Sequence, residues 1–382
     1  MSGQTLRVLF LTRYPYAGAS SRYRVHQYIP ALERLGVQCE VQSFMDDAMY
    51  RLSTTPGHTG RKIGMTLRAT WRRLLALRQH RRYDIVYLQR ELLPFGPPWL
   101  EAWLKRQGAV LFFDYDDALF IKKPSRYNPL ATLLRSAGKT LAVFRLVNCV
   151  VAGNDWLRDR AAEQGAKAVT LEVAEDTQRI PMHAPHSNQR PVTIGWLGSP
   201  STVKYLREIT PVLQQLAARY PTLRFEIMGG GDFSMPGVPW VLSEWSLAGE
   251  LEALARFDIG LMPLPQETWA QGKSGGKART YMAAGVVPVC AGIGYNLQLI
   301  RHGETGFLCN TLDDWTLHLT QAIEDATLRQ SVAEAARHDV EQRFSLEGQA
   351  LALRQLFDDV LDQRTAQGAP ADPTNPAKRS AA

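Results

Sequence analysis

The sequence predicts an α/β protein built from two parallel-sheet domains that face each other across a cleft. Its 382 residues exceed one ordinary hydrophobic core and suit two domains of roughly 150–200 residues each. Short apolar strands alternate with helical segments along the chain, which is the pattern of parallel sheets covered by helices. A proline-bearing connector interrupts the alternation once, so we expect one sheet on either side of it.

The first half begins with the continuous apolar run LRVLFLT (6–12), which predicts a strand buried on both faces. The loop RYPYAGASSRYR follows, then a helix over 25–36 and a second strand over 37–44. Strand, loop, helix and strand make one βαβ unit. Further strands are expected at 83–89, 109–115, 146–153 and 168–173, with helices at 97–108 and 130–145 among them.

The connector AEDTQRIPMHAPHSNQRP (174–191) contains three prolines and few apolar residues, so it marks the domain boundary. The second half repeats the pattern, with strands expected at 192–198, 223–231, 257–264 and 286–292 and a helix at 201–221. The predicted organisation is a Rossmann-like domain 1–174, a linker 175–191, a second Rossmann-like domain 192–345, a C-terminal helix 346–363 that can return to the first domain, and a disordered tail 364–382.

Composition is that of a globular cytoplasmic protein. Hydrophobic residues make up 45% of the chain and charged residues 21%, and no apolar run approaches the ~18–20 residues that a membrane-spanning helix needs. The chain passes from MSGQTLR directly into a strand, so no signal peptide is expected. The four cysteines follow no metal-binding spacing, which predicts reduced thiols and no metal site.

Positive charge is concentrated in one segment. The net charge is +7, and residues 61–82 contain eight Lys and Arg and no acid, so this segment accounts for the whole excess. A nucleic-acid-binding surface is therefore not predicted. Ile63, Leu67, Trp71 and Leu74 recur every three or four residues among these cations, as in a helix that lies on an anionic membrane. The alternative is a helix packed on its own domain with a basic solvent face.

The stretch IGWLGSPSTVKYL (194–206) joins a strand to a helix through a turn of small residues. Free backbone N–H groups at a helix start favour a phosphate, and Lys204 would add a point charge. In the alternative interpretation, Gly198 only makes the turn, Ser199 or Ser201 caps the helix, and Lys204 is solvated.

The stretch GKSGGKARTYMAAGVVPV (272–289) has the same physical character. Gly275 and Gly276 let the backbone approach a ligand closely, and Lys273 and Lys277 flank them. It matches neither the P-loop nor the G-x-G-x-x-G pattern, and a glycine-rich turn with exposed lysines is the alternative. Two such junctions in one half predict a diphosphate site, because a diphosphate needs several donors at once.

The segment FDIGLMPLPQETWAQGKSGGKARTYMAAGVVPV, followed by GYNLQLIRHGETGFL, resembles the donor-binding half of the family 4 (group 1) retaining glycosyltransferases of the GT-B fold, in particular a bacterial branch. IGWLGSPSTVKYL, SSRYRVHQYIPAL and VLFFDYDDALF resemble the same family, and the likeness covers about residues 5–360. It implies that the second domain holds a nucleotide-sugar diphosphate through Lys204 and the backbone amides of the glycine loop. The first domain would bind the acceptor.

Applied to this chain, the resemblance implies a set of site residues. The donor diphosphate would contact Gly198, Ser199, Lys204, Lys273, Ser274, Gly275, Gly276 and Lys277. Thr280, Tyr281 and Asp117 are candidates for the donor sugar or ribose. The chain departs from the family at several positions: Ser199 replaces an arginine, and Gly272 and Thr280 replace two glutamates eight residues apart. A histidine that is common in the family is replaced around Asp116.

A rival interpretation comes from FDYDD (113–117), where Asp114 and Asp116 form a D-x-D, the spacing with which single-domain GT-A transferases hold a divalent metal. The second α/β half supplies its own phosphate sites, which argues against this reading. We instead expect Asp116 and Asp117 to contact the donor sugar or orient the acceptor. The alternative is that one of them caps the next helix.

Three arginines are candidates for an anionic acceptor such as a lipid-linked pyrophosphate. Arg22 and Arg24 precede the first predicted helix, and Arg90 follows a strand. Solvated loop arginines are the alternative for each of them.

The sequence thus predicts a retaining glycosyltransferase that moves a sugar from a nucleotide-diphosphate donor to a lipid-linked or polysaccharide acceptor in bacterial cell-surface glycan synthesis. Lys204, Lys277 and Asp116 would be catalytic, with no metal or other cofactor required. Two alternatives remain: a nucleotide-sugar 2-epimerase on the same fold, and a non-catalytic binding or scaffold protein.

Overall fold

A computed structural model describes residues 5–53, 55, 57–121, 137–182, 184, 186–187 and 189–366. The chain divides into two compact units, one within residues 1–173 and 346–382 and the other within residues 174–345. No helix among the described residues is long and apolar enough to cross a membrane.

The first unit contains a six-stranded parallel sheet. Its strands are β1 (Leu6–Thr12), β2 (Val37–Ser43), β3 (Ile85–Gln89), β4 (Leu111–Tyr115), β5 (Cys149–Ala152) and β6 (Ala168–Thr170). Their order is β2-β1-β3-β4-β5-β6, and each neighbouring pair is parallel. Every residue of β3, β4 and β5 is buried, which is why these strands read as continuous apolar runs.

The second unit repeats this arrangement with a second six-stranded parallel sheet. Its strands are β7 (Thr193–Leu197), β8 (Arg224–Met228), β9 (Trp240–Ser243), β10 (Ile259–Met262), β11 (Val287–Ala291) and β12 (Phe307–Cys309). Their order is β12-β11-β10-β7-β8-β9. The two edge strands, β9 and β12, were not predicted, because they are short and β9 is largely exposed.

Helices connect the strands in both units. In the first unit they span Ala19–Arg24, Ile29–Arg34, Asp47–Ser53, Thr59–Arg78, Trp99–Arg106, Ala137–Phe144, Asp155–Ala162 and Leu346–Ala366, with 3-10 turns at His26–Tyr28 and His80–Arg82. In the second unit they span Thr210–Arg219, Leu247–Leu254, Gly276–Ala284, Asn296–Leu299, Leu312–Glu324 and Ala326–Arg343, with 3-10 segments at Val203–Ile209 and Thr268–Gly272.

The last helix, Leu346–Ala366, packs within the first unit. The Phe357 ring lies 5.2 Å from the Phe112 ring and 5.9 Å from the Tyr87 ring. This helix includes the first three residues of the predicted tail 364–382, and residues 367–382 lie outside the described residues. Most of the predicted helix 130–145 also lies outside them, and Ala137–Phe144 is its described part.

Two local predictions were wrong. The loop at 13–24 contains the helix Ala19–Arg24, so Arg22 and Arg24 are helical. The single helix predicted at 201–221 is a 3-10 segment, Val203–Ile209, followed by an α-helix from Thr210. Pro211, near the start of that α-helix, has no N–H to donate and its ring clashes with the carbonyl four residues earlier, so a continuous α-helix is disfavoured there.

Candidate functional site

The glycine loop of the second unit ends at the start of an uncapped helix. Gly275 has φ +65° and precedes helix Gly276–Ala284, and no side chain caps the first amides of that helix. A Cβ on Gly275 would lie 2.8 Å from both Tyr295 and Leu299, so only glycine fits. Gly276 is exposed. The first N–H groups of this helix are therefore available to an anion.

Lys273 and Lys277 flank this helix start, Lys204 is connected to Lys273 through two packed aromatic rings, and each of the three ammonium groups lies above a ring. The ammonium of Lys204 is 5.3 Å from the centroid of Tyr205, that of Lys273 is 5.4 Å from Trp269, and that of Lys277 is 5.3 Å from Trp196. The Tyr205 and Trp269 rings are themselves 5.2 Å apart, so Lys204 and Lys273 share one aromatic surface. Such cation–π contacts hold the ammonium groups in place without neutralising them.

Lys277 lies in the first turn of helix Gly276–Ala284. Burial and then repulsion by Lys273 lower the pKa of Lys277 to about 8. Among the residues that the structure describes, Lys204 and Lys277 form no ion pair with a carboxylate. Positive charge without a protein counter-ion at a helix start is the arrangement that a phosphate group fills.

The turn after β7 is packed against the same cluster. A Cβ on Gly198 would lie 2.3 Å from the ring of Trp196, the ring that lies beneath Lys277. Ser199 is exposed, and its hydroxyl lies 2.8 Å from that of Ser201. No side chain caps the 3-10 segment Val203–Ile209. Trp196 thus joins the turn at Gly198 to Lys277 in one site.

Two of the predicted donor-sugar residues are packed inside the second unit. The Tyr281 side chain is fully buried, and its hydroxyl accepts a hydrogen bond from the N–H of Leu197 and donates to the carbonyl of Leu261. The Thr280 hydroxyl lies within 3.0 Å of both a carboxylate oxygen of Glu175 and the carbonyl of Gly276. In this structure Tyr281 links β7 to β10, so we do not retain it as a sugar ligand.

Ser274 and Arg279 complete the loop. Ser274 is buried, and its carbonyl accepts a hydrogen bond from Arg279, which is also buried. Sequence reasoning missed Arg279 and Glu175, since a lone arginine within a helix and a lone glutamate in a connector carry no pattern. The aromatic residues Trp196, Tyr205 and Trp269 were also missed, although they lie within or beside the quoted motifs.

In the first unit, the structure brings Arg90 and Asp116 together. The Arg90 guanidinium lies 3.2 Å from the Asp116 carboxylate and 3.3 Å from the Ser20 hydroxyl, which itself donates to Asp116 at 2.8 Å. Arg90 has φ +67°, a left-handed conformation that is uncommon for residues other than glycine. Strain of this kind often marks a functional position. Ser20, Arg90 and Asp116 follow β1, β3 and β4, at the ligand-binding end of a parallel sheet.

Arg24 has a different environment from the one predicted. It is fully buried, and it pairs with Asp114 through three contacts of 2.5–3.0 Å. Its remaining terminal nitrogen donates to the carbonyl of Leu171, and the Tyr87 hydroxyl also donates to Asp114. The Arg24 guanidinium thus makes its hydrogen bonds inside the unit and is not exposed to an acceptor.

The same pairing weakens the D-x-D interpretation. Asp114 is engaged by Arg24 and Tyr87 in the interior, whereas Asp116 is engaged by Arg90 and Ser20 near the surface. The two carboxylates therefore do not converge on one metal position. Among the described residues there is no group of three or more His, Cys, Asp and Glu side chains arranged for a metal ion.

Arg22 and Asp117 lie near this cluster without completing it. Arg22 is almost fully buried, with its guanidinium 5.0 Å from the Tyr23 ring. Asp117 accepts a hydrogen bond from the N–H of Ala118, and the described residues after it, up to 121, form no helix for it to cap.

No protein-family profile matches the chain, and no curated protein sequence matches it either. Solved structures do match over most of the chain. Sucrose-phosphate synthase from Thermosynechococcus elongatus has a TM-score of 0.66 and 14% identity, covering 94% of this chain and 100% of its own. HepE from Anabaena, crystallised with UDP and glucose, has a TM-score of 0.66 and 14% identity, covering 93% and 100%. A glycosyltransferase from Rickettsia africae has a TM-score of 0.64 and 14% identity, covering 94% and 99%.

At such low identity these similarities concern the fold. Together with the two six-stranded parallel sheets, they confirm the predicted fold class: the chain has the two-domain α/β architecture of the GT-B glycosyltransferases.

Proposed function

We propose that the protein is a glycosyltransferase that uses a nucleotide-diphosphate sugar as its donor. The observation that carries this proposal is the grouping of Lys204, Lys273 and Lys277 around the uncapped start of helix Gly276–Ala284. The fold adds support, since HepE, which shares it, was crystallised with UDP and glucose and with UDP-glucose. The nucleotide sugar would be a co-substrate, with no metal or other cofactor.

The site explains how the donor would be activated. When the bond between sugar and diphosphate breaks, negative charge develops on the leaving phosphate. Lys204, Lys277 and the amides around Gly275 would stabilise that charge from positions that are already fixed, which is electrostatic preorganisation. Gly198, Ser199, Lys273, Ser274 and Gly276 would line the same diphosphate. We infer a retaining, front-face reaction in which the departing phosphate helps to deprotonate the acceptor hydroxyl.

We assign the acceptor to the first unit. Asp116 would orient the acceptor hydroxyl or the sugar, because its carboxylate is positioned by Arg90 and Ser20. Arg90, and Arg22 nearby, would attract an anionic group on the acceptor, such as the pyrophosphate of a lipid-linked glycan. Asp117 and Thr280 remain candidates for the donor sugar or ribose, with Thr280 acting alongside Glu175.

We further infer that the first unit contacts the anionic inner face of the cytoplasmic membrane. Helix Thr59–Arg78 exposes an apolar row in which Ile63 is 46%, Leu67 65%, Trp71 58% and Leu75 41% exposed. The opposite face of this helix is buried through Ala69, Arg73 and Leu77. The exposed row therefore continues through Leu75 and not through the predicted Leu74, which is only half-exposed. Apolar side chains bordered by cations suit an interface rich in anionic lipids.

A second apolar row lies beside the first. On helix Trp99–Arg106, Trp99 is 73% and Trp103 36% exposed, and a groove lined by Trp71, Leu75, Leu100 and Trp103 separates the two helices. Tryptophan favours the level of the lipid headgroups. A lipid-linked acceptor would require such contact, and bacterial cell-surface glycan synthesis is the process that we propose for it.

A screen for stabilisation by nucleotides tests the donor assignment. We would measure thermal unfolding with UDP, GDP, ADP, dTDP, CMP and their common sugars, with and without Mg²⁺, for the wild type, Lys204→Ala and the exposed control Lys167→Ala. A ligand at 100 times its Kd stabilises the folded state by about 2.7 kcal/mol. We expect one diphosphate to stabilise the wild type and Lys167→Ala without metal, and to lose most of its effect in Lys204→Ala.

Product analysis then separates the alternatives. Incubation of that sugar donor with a mixture of glycan and lipid-linked acceptors should release the nucleoside diphosphate and extend an acceptor. A changed sugar on an intact donor would instead identify a 2-epimerase. Binding without turnover would identify a non-catalytic protein, and stabilisation by no nucleotide at all would refute the proposed function.

A further inference from the structure

Glu175 lies buried beside the helix that begins at the glycine loop. The residue is 1% exposed, and its Oε1 accepts a hydrogen bond from the Thr280 hydroxyl at 3.0 Å. Its Oε2 is also buried and has no hydrogen-bond partner among the described residues. Leaving a carboxylate oxygen buried and unsatisfied is unfavourable, so the position demands an explanation.

Arg279 is adjacent to Thr280 in sequence and is equally buried. One terminal nitrogen donates to the carbonyl of Ser274 at 3.0 Å, whereas its Nε and the other terminal nitrogen have no partner among the described residues. Its guanidinium lies 4.7 Å from the Phe344 ring and 5.4 Å from the Tyr295 ring. Tyr295 in turn packs directly against Gly275. Arg279 therefore holds the glycine loop both by a hydrogen bond and through a shared aromatic neighbour.

The charged groups that face Glu175 come from three elements. Arg279 lies on helix Gly276–Ala284, Glu250 on helix Leu247–Leu254, and Arg179 in the segment that follows Glu175. Arg179 lies 3.3 Å from Glu250, so these two largely balance each other. The charges that remain are those of Glu175 and Arg279. Burial raises the pKa of Glu175 to about 7, against the opposing effects of Arg279 and the Thr280 hydrogen bond.

We propose that Glu175 is a positioning residue for the glycine loop, and that its negative charge balances Arg279 and thereby keeps Arg279 on the Ser274 carbonyl. This inference rests on the proposed donor site. When Glu175 is neutral, its attraction for the buried Arg279 guanidinium is lost. Conformations in which Arg279 moves toward water then become more populated, and in them the hydrogen bond from Arg279 to the Ser274 carbonyl is lost. The loop amides and Lys277 lose the fixed geometry that a diphosphate needs.

The raised pKa of Glu175 also sets the direction of its effect on stability. The pKa of Glu175 is about 7 in the folded protein against an ordinary value of 4.5. The folded state therefore binds the proton more tightly than the unfolded state, and stability falls as the pH rises from about 4.5 to about 7. Ionisation of Glu175 thus lowers the free energy of unfolding at neutral pH.

Calorimetric titration of UDP between pH 6 and pH 8.5 tests the proposal with three proteins: the wild type, Glu175→Gln and the exposed control Glu334→Gln. Glutamine keeps the shape of the protonated acid. We expect the Kd of Glu175→Gln to equal that of the wild type near pH 6 and to exceed it by roughly fivefold or more at pH 8. Titration of the UDP phosphate affects all three proteins alike. For uridine, which has no phosphate, the ratio of the Kd of Glu175→Gln to that of the wild type should be the same at every pH.

Two results would overturn the inference. In the first, the ratio of the UDP Kd of Glu175→Gln to that of the wild type does not change with pH. In the second, that ratio changes with pH, but the corresponding ratio for uridine changes in the same way. Failure of the proposed function would give a different result, because the wild type would then not bind UDP at all. For that case, hydrogen exchange of the amides over 273–279, corrected for intrinsic rates, supplies a readout without ligand. Faster exchange in Glu175→Gln than in the wild type at pH 8, and equal exchange at pH 6, supports the proposal. Equal exchange at both pH values refutes it.

Discussion

Lys277 offers the sharpest test of the proposed diphosphate site. Lys277→Met removes the ammonium and keeps most of the aliphatic chain over the Trp196 ring. A hydrogen bond to a charged group contributes about 1.5–3 kcal/mol, so we expect the Kd for UDP to rise roughly 10- to 150-fold. Lys277→Arg keeps the charge and should bind much closer to the wild type.

The pH dependence makes this test specific to Lys277. Burial and the nearby Lys273 lower the pKa of Lys277 to about 8, so its positive charge is present below that pH and lost above it. Between pH 7 and pH 9 the protonated fraction of the free protein falls from about 0.9 to about 0.1, and the Kd for UDP should rise about tenfold. Lys277→Arg remains charged over this range, so its Kd should be nearly constant.

The assay is calorimetric titration of UDP at pH 7, 8 and 9 in 0.15 M salt, with Lys167→Met as the exposed control. Lys167 lies in the first unit and donates to Gln363, so this variant should follow the wild type. If Lys277→Met binds UDP as tightly as the wild type, Lys277 does not contact the diphosphate. If the wild type and Lys277→Arg weaken in parallel above pH 8, another group is responsible for the pH dependence.

Three further predictions concern the loop, the interior and the exposed helix. Gly275→Ala should weaken UDP binding and lower the unfolding free energy by about 1 kcal/mol or more. The control Gly60→Ala lies in the first unit, where a Cβ meets nothing within 4 Å, and should change neither quantity much. Equal effects of the two substitutions would contradict the loop geometry. Arg24→Met should lower the free energy of unfolding in urea by about 3–5 kcal/mol, because it leaves Asp114 buried without its partner. The control Arg34→Met breaks an exposed pair with Glu347 and should lower it by less than about 1 kcal/mol. Trp71→Glu should reduce co-sedimentation with vesicles containing anionic lipid at least about tenfold. Leu351→Glu changes an equally exposed residue on the last helix and should not reduce it. Unchanged co-sedimentation of Trp71→Glu would refute the proposal that helix Thr59–Arg78 contacts the membrane.

The sheets were predictable because both are parallel and covered by helices. A strand buried on both faces must be apolar throughout, and that pattern survives in a single sequence. The run LRVLFLT corresponds to β1 without a change of boundary, and the other central strands lie within their predicted ranges. The edge strand β9 escaped prediction because its exposed residues need not be apolar.

Only part of the candidate site could be predicted from the sequence. Glycines and lysines at strand-to-helix junctions are local signals, so the sequence alone pointed to Gly275, Lys277 and Lys204, and their role in binding a donor stays a prediction. Whether a polar side chain faces a ligand or the interior depends on how distant elements pack. Arg24 was expected at an acceptor and is paired with Asp114, 90 residues away along the chain.

By itself, then, the sequence determined two parallel sheets, the glycine- and lysine-bearing junctions at which we propose that a diphosphate binds, and a strongly basic helix, because each depends on neighbouring residues. Only the tertiary structure decided which carboxylate accompanies the glycine loop. Glu175 reaches Thr280 across 105 positions. No periodicity or spacing encodes such a contact, since it arises when the connector packs against the helix that follows the loop.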